Sequence, residues 1–209
     1  AFVDQQSQND SRLQLSALDS TERGTRVFGY TSYVRSPRTG ALPASPAGGQ
    51  RRPRAGGQAN GPFFTTEDFS YYDRCITRGI TGSIMPSLYG DAMRIVQSPT
   101  EVAVNMEMRH DTRMIPVGNR PHLPGSVRLW LGDPIGRWEG DTLVVEVTGF
   151  NGLTWLDRAG NFHSDALRVV ERYTPLSPYH IKYEATIEDP TVFTRPWKVS
   201  FPLYRRVEE

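Results

Sequence analysis

The chain has 209 residues, with 24 Lys and Arg against 23 Asp and Glu, for a net charge of +1. That balance excludes a global field directed at nucleic acid or anionic membrane, and no apolar run approaches the ~20 residues of a membrane-spanning helix. Hydrophobic residues make up 37%, enough for one core, and the single cysteine excludes an intrachain disulfide.

The N-terminal stretch AFVDQQSQND opens on Ala, as expected of an exported protein after removal of a signal peptide. Residues 1–35 are polar, with one β-like run, TRVFGYTSYV (Thr25–Val34). Residues 36–62 then change character: eleven of 27 are Gly or Pro, four are Arg, and none is acidic. Such a stretch buries too little apolar surface to offset its ordering entropy. Residues 1–62 are therefore read as an extended arm that docks on other chains. Arg38, Arg51, Arg52 and Arg54 are its candidate partner-binding residues. Their planar guanidinium groups suit carboxylates or lipid phosphates. Residues 63–209 are read as the folded domain.

Within RCITRGITGSIMP, Cys75 is expected to be a small buried hydrophobe. From Met93 onward the periodicity is two, as in half-buried strands. MRIVQS is followed by EVAVNMEM, which sets Val102, Val104, Met106 and Met108 against Glu101, Ala103, Asn105 and Glu107. DTRMIPV comes next and stops at Gly118-Asn119. In DTLVVEVTGF, Leu143, Val145 and Val147 share a face. In ALRVVERYT, Leu167, Val169 and Tyr173 do so, and in YHIKYEATIED the stripe is Tyr179, Ile181, Tyr183, Ala185 and Ile187. PWKVSFPLY closes the series with Trp197, Val199, Phe201 and Leu203. Short turns and the lack of helical connections predict a mainly β fold: an antiparallel meander forming a barrel or strongly bent sheet, with a long irregular N-terminal arm.

The stretch WLGDPIGRWEGDTLVVEVTGFN (Trp130–Asn151) holds two tryptophans and several charges beside an alternating strand. Gly140 accepts a positive φ and Asp141 is a turn former, so Gly140-Asp141 reads as a hairpin turn. Trp130 and Trp138 are then structural, with Trp138 covering the barrel end, and both Trp138 and Trp197 are expected in the core.

Together with HSDALRVVERYT, IEDPTVFTRPW, RCITRGITGSIMP and EMRHDTRMIPVGNRPHLP, this stretch resembles a widespread family of exported, β-rich bacterial proteins. The resemblance covers roughly residues 70–200. It implies a periplasmic or extracellular protein and no particular reaction. By fold analogy alone the meander also resembles calycin-like ligand carriers.

Candidate chemistry is confined to His110 and Asp111, His122, and His163 with Asp165. Three histidines on neighbouring loops could converge, and Asp165 could orient His163 as a general base. No HExxH or paired CxxC spacing occurs, so neither a metal nor a cofactor is expected. Ser83 lacks the nucleophile-elbow context, and GGQRRPRAGG lacks the flanking strand and helix of a phosphate loop. Two functions follow. The first is a non-catalytic accessory subunit, tethered by its arm to a larger envelope or membrane complex such as a photosynthetic or respiratory assembly. The second is a small periplasmic enzyme or ligand carrier whose barrel mouth is lined by His110, His122, His163 and Arg113.

Overall fold

The computed structural model describes residues 34–36, 63–66, 69, 73–85, 92–157 and 161–205. Arg38, Arg51, Arg52 and Arg54, and with them the docking role expected of the arm, lie outside the described residues.

The strands appear where the sequence alternates. They are β1 (Val34–Ser36), β2 (Met93–Gln97), β3 (Glu101–Met106), β4 (Thr112–Pro116), β5 (Asp133–Glu139), β6 (Thr142–Thr148), β7 (Arg168–Ser177), β8 (His180–Glu188) and β9 (Trp197–Tyr204). One short helix, α1 (Gly79–Ile84), precedes β2. β2, β3 and β4 form a three-stranded sheet. β5 to β9 form the main sheet in strict chain order, with β1 added at the β9 edge. All strand pairs within the sheets are antiparallel. The meander is therefore present as two antiparallel sheets, and no closed barrel is formed among the described residues. The sheets meet at a seam where Val117 bridges Gly136 of β5 in parallel and the Gly118 N–H donates to the Gly136 carbonyl at 3.0 Å. A Cβ at Gly136 would lie 3.0 Å from Ile115, so the seam requires the close approach that glycine allows.

The two sheets share one hydrophobic core. The small sheet contributes Met93, Val102, Val104, Met106 and Ile115. The main sheet contributes the stripes read from its alternation: Leu143, Val145 and Val147; Leu167, Val169 and Tyr173; Tyr183, Ala185 and Ile187; Trp197, Val199, Phe201 and Leu203. The outer face of the main sheet is charged. There Glu139 joins Arg137 and Arg172, and Arg168 joins Glu146 and Glu188. Exposed pairs of this kind add little stability but keep that face in water.

Two expectations are corrected. Trp197 is buried at 2% exposure, but Trp138 is 44% exposed. Trp138 pairs across the ladder with inward-facing Leu143, yet it stands at the end of the sheet, at the mouth of a cleft. Trp130, expected to be structural, lies in the turn before β5 and is 47% exposed. Cys75 is exposed rather than buried, at a backbone φ of 55°.

Candidate functional site

The two ends of the core differ. At one end lie the β5–β6 and β7–β8 hairpins; at the other lie α1 and the long loops before β5, after β6 and before β9.

At the hairpin end the sheets part around a cleft of about 460 Å³. Its walls come from Ile95 and Gln97 of β2, Val102 and Val104 of β3, and Leu143, Tyr173, Pro175 and Ile181 of the main sheet. Its lip is Trp138 with the Gly140-Asp141 turn. Glu139 pairs with Thr142 across that turn, and Gly140 alone of the two central residues has a positive φ, 61°. That is the requirement of a type II′ hairpin at its first central position. The turn predicted from sequence is thus present, and it also shapes the mouth of a cleft.

Behind the cleft wall lies a buried polar cluster. Arg113 of β4 reaches across the core to Glu171 of β7 in a bidentate pair, at 3.0 Å and 2.5 Å. The side chains are 2% and 0% exposed. The Tyr173 and Tyr183 hydroxyls both donate to Glu171 Oε1, at 3.1 Å and 2.9 Å. Burial raises both phenol pKa values well above the ordinary tyrosine range, and the Glu171 carboxylate adds to the effect. Both hydroxyls therefore remain protonated donors. Burial opposes the charge on Arg113, but Glu171 outweighs it and the guanidinium stays ionised. Such a cluster satisfies most of its own hydrogen bonds, although Arg113 Nε has none. Tyr173 belongs to both the cluster and the cleft wall, so its hydroxyl points polarity away from the cleft.

Glu171 was the residue that sequence reading passed over. It sits at an inward position between Val169 and Tyr173, where the alternation asks for an apolar side chain. Arg113 breaks the pattern of β4 in the same way, standing on the face of Ile115 while Met114 faces solvent. Two opposite charges on two otherwise apolar stripes were the available signal.

The loop end is closed by mutual hydrogen bonding. His163 is buried between Phe150 and Phe162. Its Nδ1–H donates to the Ser164 carbonyl at 2.9 Å, which leaves Nε2 to accept from the Thr154 hydroxyl at 2.7 Å. Both ring nitrogens are thereby engaged, so His163 does not pair with Asp165, which is exposed. Burial lowers the His163 pKa and keeps the ring neutral. Asp189 accepts from the Ser164 N–H and hydroxyl, at 2.6 Å and 2.8 Å, and from the Thr191 N–H and hydroxyl, at 3.2 Å and 2.6 Å. It thus ties the HSD block to the EDPTVF block. Asp133 gathers Arg120 at 2.7 Å, the His122 ring at 2.9 Å and the Leu123 N–H at 2.9 Å. Burial opposes its charge, but these three donors win and lower its pKa. The Thr81 hydroxyl of α1 donates to the Leu156 carbonyl, which seats the helix against this loop.

The histidines therefore do not converge. His110 lies in the β3–β4 turn at the loop end, where Arg109 and His110 both have positive φ, 66° and 55°. Asp111 continues that turn, with its carbonyl accepting the Met106 N–H at 2.8 Å. None of His110, His122, His163 or Arg113 lines the cleft. No group of three or more His, Cys, Asp and Glu able to hold a metal occurs among the described residues. No helix among them is long and apolar enough to cross a membrane. Comparison of the chain with protein-family models, curated proteins and solved structures yields no match.

Proposed function

We propose that this domain is a non-catalytic binder or carrier of a small, largely apolar molecule, held in the cleft between the two sheets. The observation that carries the reading is the cleft itself. Its volume lies within the ~300–1,000 Å³ of ligand sites, and its lining is dominated by Ile, Val, Leu and Pro side chains. The titratable groups that catalysis would recruit are engaged elsewhere: His163, Asp133 and Asp189 hold loops, and Arg113 and Glu171 hold each other. An exported setting, implied by the resemblance of the sequence blocks, suits a carrier. Tethering of the arm to a larger complex is compatible with it, and the composition of residues 36–62 favours that addition.

Calorimetric titration with octan-1-ol tests the reading. A Kd of about 1 mM or tighter is expected, which asks for only ~0.5 kcal/mol per non-hydrogen atom of the ligand. Ile181→Trp, which places an indole in the cleft wall, is expected to abolish the binding and leave the domain folded. Absence of octan-1-ol binding to the unmodified protein removes the proposal.

A further inference from the structure

We propose that the cleft selects single-chain amphiphiles with a cationic, amine-type head group over those with an anionic or neutral one. The inference rests on the reading of the cleft as a ligand site and adds the class of ligand. Among the described residues that line the cleft, Asp141 is the only one with a formal charge. It stands in the exposed lip, next to the half-exposed indole of Trp138. A carboxylate and an aromatic face at one mouth form the pair of groups that attracts an ammonium ion, by charge and by cation–π interaction.

Five other charges near this end are held in pairs. Arg137 and Arg172 are paired with Glu139 on the outer face, and Lys182 is paired with Glu184 at 3.0 Å. Among the described residues, no cation lines the cleft to receive a carboxylate or phosphate head. Deeper in, the Tyr173 hydroxyl is donated to Glu171, so the inner wall offers no donor to a polar head and favours a hydrocarbon body. Gln97, the one neutral amide among the described lining residues, can accept from an ammonium N–H through its carbonyl or donate through its NH2, so it leaves the choice of head group to Asp141 and Trp138. At the ~30 Å³ that one water occupies in the liquid, the cleft holds on the order of fifteen non-hydrogen atoms. That is room for one short chain or ring system, and too little for a two-chain phospholipid.

The test compares octylammonium, octan-1-ol and octanoate by calorimetric titration at neutral pH. Octylammonium is expected to bind about tenfold more tightly than octan-1-ol, the size of an exposed ion pair and a cation–π contact acting together, with octanoate weakest. Asp141→Asn keeps a Gly-Asn hairpin turn, and it is expected to reduce octylammonium to the affinity of octan-1-ol while octan-1-ol itself is unchanged. Trp138→Leu, which leaves the turn untouched, is expected to reduce the preference by about threefold. Equal affinities for the three probes, a preference for octanoate, or a preference that survives both substitutions overturns the head-group inference and leaves the cleft reading standing. Failure of all three probes to bind overturns both.

Discussion

At the loop end of the domain, polar side chains close the loops over the core; at the hairpin end they pair on the outer face of the sheet and leave a largely apolar cleft on the inner one. Asp133, Asp189, His163, Ser164 and Thr154 spend their hydrogen bonds on backbone and on each other, so the long loops close over the core. Around the cleft, the wall is aliphatic and the lip is a two-residue turn with Trp138 and Asp141. One fold thus keeps a closed end and an open one, and the Arg113–Glu171 pair lies between them. A dense set of motif residues marks the end that is held shut, and a sparse set marks the end that is available for binding.

The comparison is broken most severely at its middle. Glu171→Ala leaves Arg113 charged and unpaired in the core, and a loss of about 3–5 kcal/mol is expected from denaturant unfolding. Replacing the pair together, as Arg113→Met with Glu171→Leu, is expected to recover most of that loss, because neither charge is then stranded. Full recovery by the double substitution would also show that the pair serves specificity more than stability.

The two tryptophans sharpen the contrast between the ends. Trp197 is buried against Phe193, with ring centroids 5.5 Å apart. Trp197→Ala is expected to cost about 3–5 kcal/mol. Trp138→Ala is expected to stay within about 1 kcal/mol, as for a half-exposed side chain away from the core. Equal melting-temperature losses in the two variants would mean that the hairpin end is packed as tightly as the loop end.

The smallest expected effect is a pH dependence at the loop end. The pKa of His163 is lowered in the folded chain. The unfolded chain therefore takes up the proton first as pH falls, so stability is lost from about pH 6.5 downward until the folded pKa is reached. Asp133 acts in a separate window. Its pKa is lowered too, so its contribution is lost only as pH falls below the ordinary aspartate value of about 3.9. In His163→Asn the decline that begins at about pH 6.5 is expected to flatten while the acid limb persists; unfolding curves collected across pH measure both.

Much of this architecture was legible in the alternation of the chain. Val102, Val104 and Met106, or Trp197 through Leu203, announce their strands because an apolar residue at every second position has one core-facing solution. The Gly140-Asp141 turn was legible for the same local reason. Glu171 and Arg113 were not, since each is a single departure from an apolar stripe and their meaning depends on a partner 58 residues away. Trp138 was misjudged because strand parity places it on the inner face but says nothing about what packs against it. The histidines of the resembling blocks looked like a converging set only while the chain was one line; folding distributes them to separate loops. The cleft arises from the spacing of two sheets around one seam, and no short stretch of sequence encodes that spacing.

The strict chain order of the main sheet carries a kinetic consequence. Each strand from β5 to β9 pairs with its neighbour in sequence, so the main sheet grows by local closures, tight at the β5–β6 and β7–β8 hairpins and widest at the 149–167 connection. Contact between Arg113 and Glu171 closes a much longer one. Docking of the small sheet onto β7 is therefore expected after the surface that it covers has formed, which φ-values near zero at Val102 and Val104 would check.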